Sequence, residues 1–466
     1  MRSKIIALFV IGAVLLVSCG TATPVATTAP GATTAPVATT APVATTAPVA
    51  TTLKIYLLDY TADTIAWLKS DINPAFEAAH PGVTVQITEG TWSGWATTFA
   101  SWFTVGSGPD IINLGSEMNS MFGDSLADMT QYLGKAAYPD IANFGPSLDN
   151  ATWKGKIRGL PIFTAPRYSF CRTDLMTAGG WNAQPQNFAD WTKFAKDLSK
   201  IDPVTNSLTQ QALVPVDAGS MADWQWWLLV YWSLNGQLYK TDGVTPNFDS
   251  AEAKATTQFI SDMRIATYGP ATKAVGALPA GKGSVIDVNP DTGKENGAVC
   301  LEHSGWAAPA LTLADKSPNP IYNKISIEPF QGDKANFPNS KPVVLAFNDW
   351  LGVAQYSQNQ ALAADWLKAA FTKEANNKWN ETMGLIPSRN DAQYGFVVDN
   401  PALKREAELA SQYGVGFADI YDSAKLSTIM QEKLGKLVTG ELSVDEVLAQ
   451  IQTEYTQALK DDGVIK

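Results

Sequence analysis

Apolar and polar positions along this chain switch repeatedly between a period of two and a period near 3.6. Leu53 to Leu58 alternates and then closes apolar, which predicts a first strand. Asp63 to Ala79 sets Trp67, Leu68, Ile72 and Phe76 on one helical face, and Pro74 should kink or split that helix. His80-Pro81-Gly82 stops it, Val83 to Ile87 alternates as a strand, and Trp95 to Phe103 reads as a second helix. The turn Gly106 to Asp110 then leads into the apolar strand Ile111 to Leu114. Strand, helix, strand, helix, strand predicts an α/β fold: a mostly parallel sheet with helices on both faces. Ligands of such sheets sit beyond the C-terminal ends of the strands. That rule singles out Asp59 and Tyr60, then Trp92 and Trp95, then Glu117.

Two later patterns add to the picture. Trp224, Trp227, Leu228 and Tyr231 share one helical face while Trp226 and Val230 share another, so this helix is apolar all round and should be buried. Trp224 and Trp227, near its N-terminus, are the rings placed to reach a cleft. Val343 to Phe347 is an apolar strand interrupted by Asn348 and Asp349 before Trp350. Polar groups inside a buried strand need partners, from a ligand or from backbone, which makes Asp349 and Trp350 candidates.

The N-terminus follows neither period. Arg2 and Lys4 precede an unbroken apolar run from Ile5 to Val17, the build of a secretory signal peptide and too short for a comfortable membrane span. Leu16-Val17-Ser18-Cys19 resembles a bacterial lipobox, in which Cys19 would be lipidated; the alternative is an ordinary signal peptide with an incidental cysteine. Ala-Thr-Thr-Ala-Pro then recurs at Ala26, Ala32, Ala38 and Ala44. Such small side chains bury too little apolar area to offset ordering entropy, so residues 19–52 are expected to form a disordered, extended tether, possible ground for O-linked glycans.

Composition removes several function classes. A net charge of −11 argues against nucleic-acid binding. The 414 residues from 53 onward (466 − 52) suit two domains rather than one core. Fifteen Trp, with 14 Tyr and 18 Phe, have two readings: core packing, which must account for most of them, and a carbohydrate site in which flat rings stack on sugars. His80 and His303 stand far apart without neighbouring ligands, so neither a metal site nor a cofactor is expected, nor a Ser-His-Asp or Cys-His pair. Beyond Cys19 only Cys171 and Cys300 remain; outside the cytoplasm they form a disulfide if their strands lie side by side, and stay buried thiols otherwise.

The stretches NPAFEAAHPGVTVQI, SGPDIINLGSEM, LADMTQYLGK, WKGKIRGLP, GLIPSRND and LVTGELSVDEVLAQIQTEYTQAL occur in this order from about residue 53 to the C-terminus. The ordered set, together with the lipobox, resembles the family 1 extracellular solute-binding proteins of ABC importers, the maltose-binding-protein-like sugar receptors. Arg158 stands where that family more often has Tyr, and Ser169-Phe170-Cys171 replaces a common Tyr-Tyr-Asn. The resemblance implies two α/β lobes joined by several hinge crossings: 53–163 with 332–384, and 164–331 with 385–466. Extended Pro-bearing joints at Gly159–Pro161, Ile327–Phe330 and Gly384–Pro387 agree with it. It further implies a sugar-stacking role for Trp306, and contacts from Arg167 and Arg389 just past two crossings and from Tyr421 before the terminal helices.

The reading is a monomeric, non-catalytic receptor, lipid-anchored outside the cytoplasmic membrane, that hands a sugar or oligosaccharide to an ABC permease. A secreted glycoside hydrolase is the main alternative, since Glu117 and Asp349 could supply two carboxyls, and a carbohydrate adhesin on a Thr/Pro stalk is another.

Overall fold

The computed structural model describes residues 50–92, 94–214, 221–269, 298–301, 324–417 and 420–466. The signal peptide, Cys19, nearly all of the tether, and Trp306 lie outside the described residues. Residues 48–466 form one compact unit. Its described strands are, in chain order, β1 (Thr51–Leu58), β2 (Val83–Gly90), β3 (Ile111–Leu114), β4 (Thr152–Trp153), β5 (Lys156–Ile157), β6 (Gly159–Arg167) and β7 (Ser169–Arg172). They continue with β8 (Lys200–Asp202), β9 (Ser207–Val214), β10 (Ala298–Leu301), β11 (Ile325–Glu328), β12 (Val344–Val353), β13 (Ile386–Pro387) and β14 (Gly414–Val415).

The first three strands are parallel, as their spacing predicts, in a sheet of order β13-β6-β12-β3-β1-β2 with β14 paired to β12. Leu53, Ile55 and Leu57 of β1 are fully buried while Lys54 is exposed, so alternation along this strand records one face on the core. All four residues of β3 are buried, which is why that strand reads as an unbroken apolar run. The helix between β1 and β2 splits at Pro74 in a particular way. Helix Ala62–Trp67 passes through a π turn, Leu68–Ile72, into helix Asn73–Ala79 with Pro74 in its first turn. Proline has no N–H to offer a carbonyl one turn back, and the widened turn moves that missing bond to a helix start, where it costs least.

A second sheet has the order β11-β7-β10-β9-β8. At its centre Cys171 and Cys300 stand directly opposite each other in the antiparallel β7–β10 ladder, and they form a disulfide across 129 residues. Helix Met221–Ser233 is buried all round, with Trp224, Trp226 and Trp227 at most 1% exposed.

Only Tyr168 separates β6 of the first sheet from β7 of the second. The chain returns between β11 and β12, where Phe330 and Val343 exchange backbone hydrogen bonds, and leaves the first sheet again after Val415. The expected joint at Ile327–Phe330 therefore coincides with a change of sheet. Gly159–Pro161 instead begins β6, and Ile386–Pro387 stays in the first sheet as β13, because both pair along the same ladder. β6 and β12 pair antiparallel from Gly159–Gly352 to Arg167–Leu345, well past the end of β3 at the level of Trp350, and form a long ribbon flanked by β13 at Phe163–Thr164 and by β14 at Val344–Leu345.

Candidate functional site

Four of the residues singled out by strand ends and crossings come together on one face of that ribbon. Side chains alternate along β6 and β12, so Arg167 lies on the same face as Phe347 and Asp349, and its guanidinium sits 4.4 Å from the Phe347 ring centroid. Tyr60 follows β1 and Glu117 follows β3, both at the C-terminal end of the parallel strands. The Glu117 carboxylate lies close over Gly115: a Cβ there would stand 2.9 Å from Glu117 Oε2 and would push the carboxylate aside. The loop is fixed from both sides. Ser116 Oγ accepts the Asn348 N–H at 2.7 Å and donates to the Asn348 carbonyl at 2.8 Å, while Ser423 Oγ donates to the Glu117 carbonyl.

The electrostatics of the four are mutual. Burial pushes the Asp349 carboxyl well above the usual carboxylate range, and the neighbouring Glu117 charge adds to this against Asn113 and Arg167. Burial raises Glu117 as well, opposed by its own backbone amide and by Arg167. The Tyr60 phenol is raised by burial and then by Asp349. Glu117 is 7% and Asp349 9% exposed, so these acids are held away from water. Trp224 joins through rings: its indole lies 5.6 Å from Phe417, which lies 4.6 Å from Phe347. Three buried polar atoms in this assembly, Tyr60 Oη, Glu117 Oε2 and Trp224 Nε1, have no hydrogen-bond partner among the described residues. Other described side chains, Trp191, Trp226 and Trp379 among them, also bury an unpartnered polar atom, so it is the grouping of Tyr60 Oη and Glu117 Oε2 beyond the parallel strand ends that fits a ligand site.

Asp59 and Trp92 stand at the rim. Asp59 is exposed with φ 53°, and its carboxylate accepts the Trp92 N–H at 2.7 Å, which pins the loop after β2. Tyr421 lies apart from the four, edge-on to Tyr239 at 5.2 Å, with its N–H donating to the Tyr239 hydroxyl at 2.8 Å.

Four expected contacts are corrected. Trp350 is fully buried and its indole donates to the Gly115 carbonyl at 3.0 Å. Trp95 packs in an aromatic cluster with Phe99 and Phe122. Trp227 donates to Thr257 at 2.9 Å and packs on Tyr231. Arg389 is 1% exposed, and its guanidinium is spent on both Asp391 oxygens at 2.9 Å, on Asp140 at 3.1 Å and on the Phe371 carbonyl at 2.8 Å. Sequence reasoning missed Asn113, whose Oδ1 accepts the Leu58 N–H at 3.2 Å, whose amide donates to the Trp350 carbonyl at 3.4 Å, and which pulls the Asp349 carboxyl down against burial. The available signal was an Asn inside an otherwise apolar strand. Phe347 and Phe417 carried none, since apolar residues there read as core.

The opposite face of the ribbon carries Thr164, Ala346 and Asn348, and these line a cavity of about 820 Å³. Among the described residues no group of three or more His, Cys, Asp or Glu is assembled that could hold a metal ion, and no helix is long and apolar enough to cross a membrane.

The profile of the bacterial extracellular solute-binding proteins matches residues 59–377. Among solved structures, the chain is similar to maltose-bound MalE3 of Thermotoga maritima, with 17% identity, TM-score 0.68, and 88% of this chain and 100% of that one covered. It is likewise similar to an ABC transporter solute-binding protein of Thermotoga lettingae bound with α-D-tagatose (17% identity, TM-score 0.70, 88% and 100% covered). A third is an ABC substrate-binding protein of Listeria monocytogenes in complex with cycloalternan (16% identity, TM-score 0.68, 88% and 99% covered).

Proposed function

The chain belongs to the bacterial extracellular solute-binding proteins, and from that premise we propose that it is a sugar receptor whose ligand sits against Tyr60, Glu117, Arg167, Trp224 and Asp349. The observation that carries this reading is the set of buried, unpartnered polar atoms beyond the parallel strand ends. A saccharide answers it, since hydroxyls both donate and accept and the apolar face of a sugar ring suits an indole. The solved relatives named above hold maltose, tagatose and cycloalternan, which supports the same ligand class.

The two lobes are read as built on the two sheets, with β6 and β12 as part of the hinge. Trp306 is retained as a stacking ring from the loop after β10. Asp59 and Trp92 form the rim. The leader and Cys19 support a lipid anchor outside the cytoplasmic membrane with the Thr/Ala/Pro repeats as tether, and in this reading the receptor is monomeric and passes its ligand to an ABC permease. No catalytic step is proposed.

Native mass spectrometry of the purified protein identifies a retained saccharide, and calorimetry with that saccharide then tests the site. Glu117→Gln or Asp349→Asn should each weaken binding about tenfold or more, as expected for a charge-assisted or acid hydrogen bond of about 1.5–3 kcal/mol. Unchanged affinity in both variants would move the site elsewhere. Cys19→Ser should release the protein from membranes.

A further inference from the structure

The cavity on the opposite face of the β6–β12 ribbon is built from stretches far apart in sequence, between Pro146 and Ile420. Its walls include Asn150, before β4; Thr164 of β6; Asn348 of β12; Trp232, at the end of helix Met221–Ser233; and Ser411, on helix Pro401–Tyr413. None of Tyr60, Glu117, Arg167 or Asp349 lines it. Strand alternation explains the separation: neighbouring side chains along β6 and β12 point to opposite faces, so Asn348 and Asp349 serve different spaces.

The polar groups of the cavity are organised, with one left over. The Asn348 carboxamide, turned to satisfy both of its ends, donates to the Phe163 carbonyl at 3.1 Å and Thr164 Oγ1 at 2.7 Å and accepts from Asn150 Nδ2 at 2.5 Å. That fixes the Asn150 amide, whose nitrogen also reaches the Ser147 carbonyl at 3.4 Å. Asn150 is 5% exposed, and its Oδ1 has no partner among the described residues. A buried acceptor held in position by its own amide nitrogen and lining a cavity calls for a donor from outside the protein.

We infer that this cavity is a second small-molecule site, separate from the cleft, for a neutral polyhydroxylated molecule of one or two sugar rings. Its volume of about 820 Å³ lies within the usual range for ligand pockets, ~300–1,000 Å³. The chemistry excludes an ion. Lys240 is paired with Asp249 at 2.6 Å, Asp149 is exposed, and the buried polar lining is carboxamide and hydroxyl. A charged guest would lose its hydration without a counter-charge, whereas hydroxyls match amides and the ring of Trp232 offers an apolar face.

The test uses full-length protein carrying 5-fluorotryptophan, with the Trp232 signal assigned by Trp232→Phe, and titrates trehalose, maltose and ribitol separately into the millimolar range. Titrations are repeated in the Glu117→Gln background, where a response that comes from the cleft moves its midpoint about tenfold or more and one that comes from this cavity keeps its midpoint. At least one probe should move the Trp232 resonance saturably. Ser411→Trp, at an exposed wall position that folding tolerates, should abolish that movement by filling the cavity, and Ala407→Trp, one turn earlier on the same helix, is its parallel. Absence of a saturable shift with all three probes overturns the inference. So does a shift that survives both wall variants.

Discussion

Removing the Cys171–Cys300 bridge should cost the second sheet much of its stability. The bridge closes a loop of 129 residues that contains β8, β9 and the buried helix Met221–Ser233. Loop-closure entropy of that length amounts to about 5 kcal/mol at 25 °C. Both cysteines are fully buried at the centre of the sheet, so alanines there would also leave small voids. Folded domains are stable by only about 5–15 kcal/mol, and a loss of this size should detach the unfolding of the second sheet from that of the first. The assay is urea unfolding of the Cys171→Ala/Cys300→Ala double variant, followed by tryptophan fluorescence and near-ultraviolet circular dichroism. Wild-type protein under strong reductant is the matched control. An earlier, split transition in both is expected, together with no thiol of this pair reacting in the folded wild type. A shift worth less than about 1 kcal/mol in the double variant would refute the reasoning, because a bridge across so long a loop cannot be that weak unless the unfolded chain is already constrained.

Asp349→Asn should raise stability increasingly with pH. The native carboxyl is held well above its ordinary range, so the folded state keeps a proton that the unfolded state gives up, and wild-type stability falls as pH rises above about 4, by at most about 1.4 kcal/mol per pH unit for this group; a pH-independent difference between wild type and variant would contradict this. Arg389→Ala should cost about 3–5 kcal/mol in denaturant melts, with Arg389→Lys a poor rescue, because Lys cannot reproduce the fork on Asp391; loss of sugar affinity at unchanged stability would return Arg389 to the site. Small-angle scattering should show a larger radius of gyration without ligand than with it, and equal radii would remove closure from the mechanism.

The first sheet was legible because its residues obey local rules. Alternation in β1, the apolar run of β3 and the turn at Gly106–Asp110 each name their element without tertiary information. The candidate site was legible only through position: Tyr60 and Glu117 follow parallel strands, and Asp349 breaks an apolar one. Trp350, Trp227 and Arg389 failed for a common reason. A large amphipathic side chain looks the same in sequence whether it meets a ligand or a buried carbonyl, and here the Gly115 carbonyl, Thr257 and the Phe371 carbonyl took them. The disulfide could not be decided at all, because it depends on the register of β7 and β10, strands 129 residues apart in sequence. Nor does any local pattern announce the cavity, whose walls come from six separate stretches of chain.

The unpartnered atoms of the cleft bear on how such a receptor tells a loaded state from an empty one. Leaving a buried donor or acceptor unsatisfied costs about 1–3 kcal/mol, and Tyr60 Oη, Glu117 Oε2 and Trp224 Nε1 together make that about 3–9 kcal/mol. Burying Glu117 and Asp349 beside one another adds a further unfavourable contribution, which Arg167 offsets in part. An arrangement that shields all of these groups while the cleft is empty therefore lies above one in which water reaches them. At about 1.4 kcal/mol per decade, even 4 kcal/mol holds the shielded, empty form below about one molecule in a thousand. On the proposed function, a saccharide would reverse the balance by supplying hydroxyls to these same atoms, and closure would follow capture because the site is incomplete without its guest. The polar residues that make the empty cleft unfavourable are then the ones that make occupancy readable from outside.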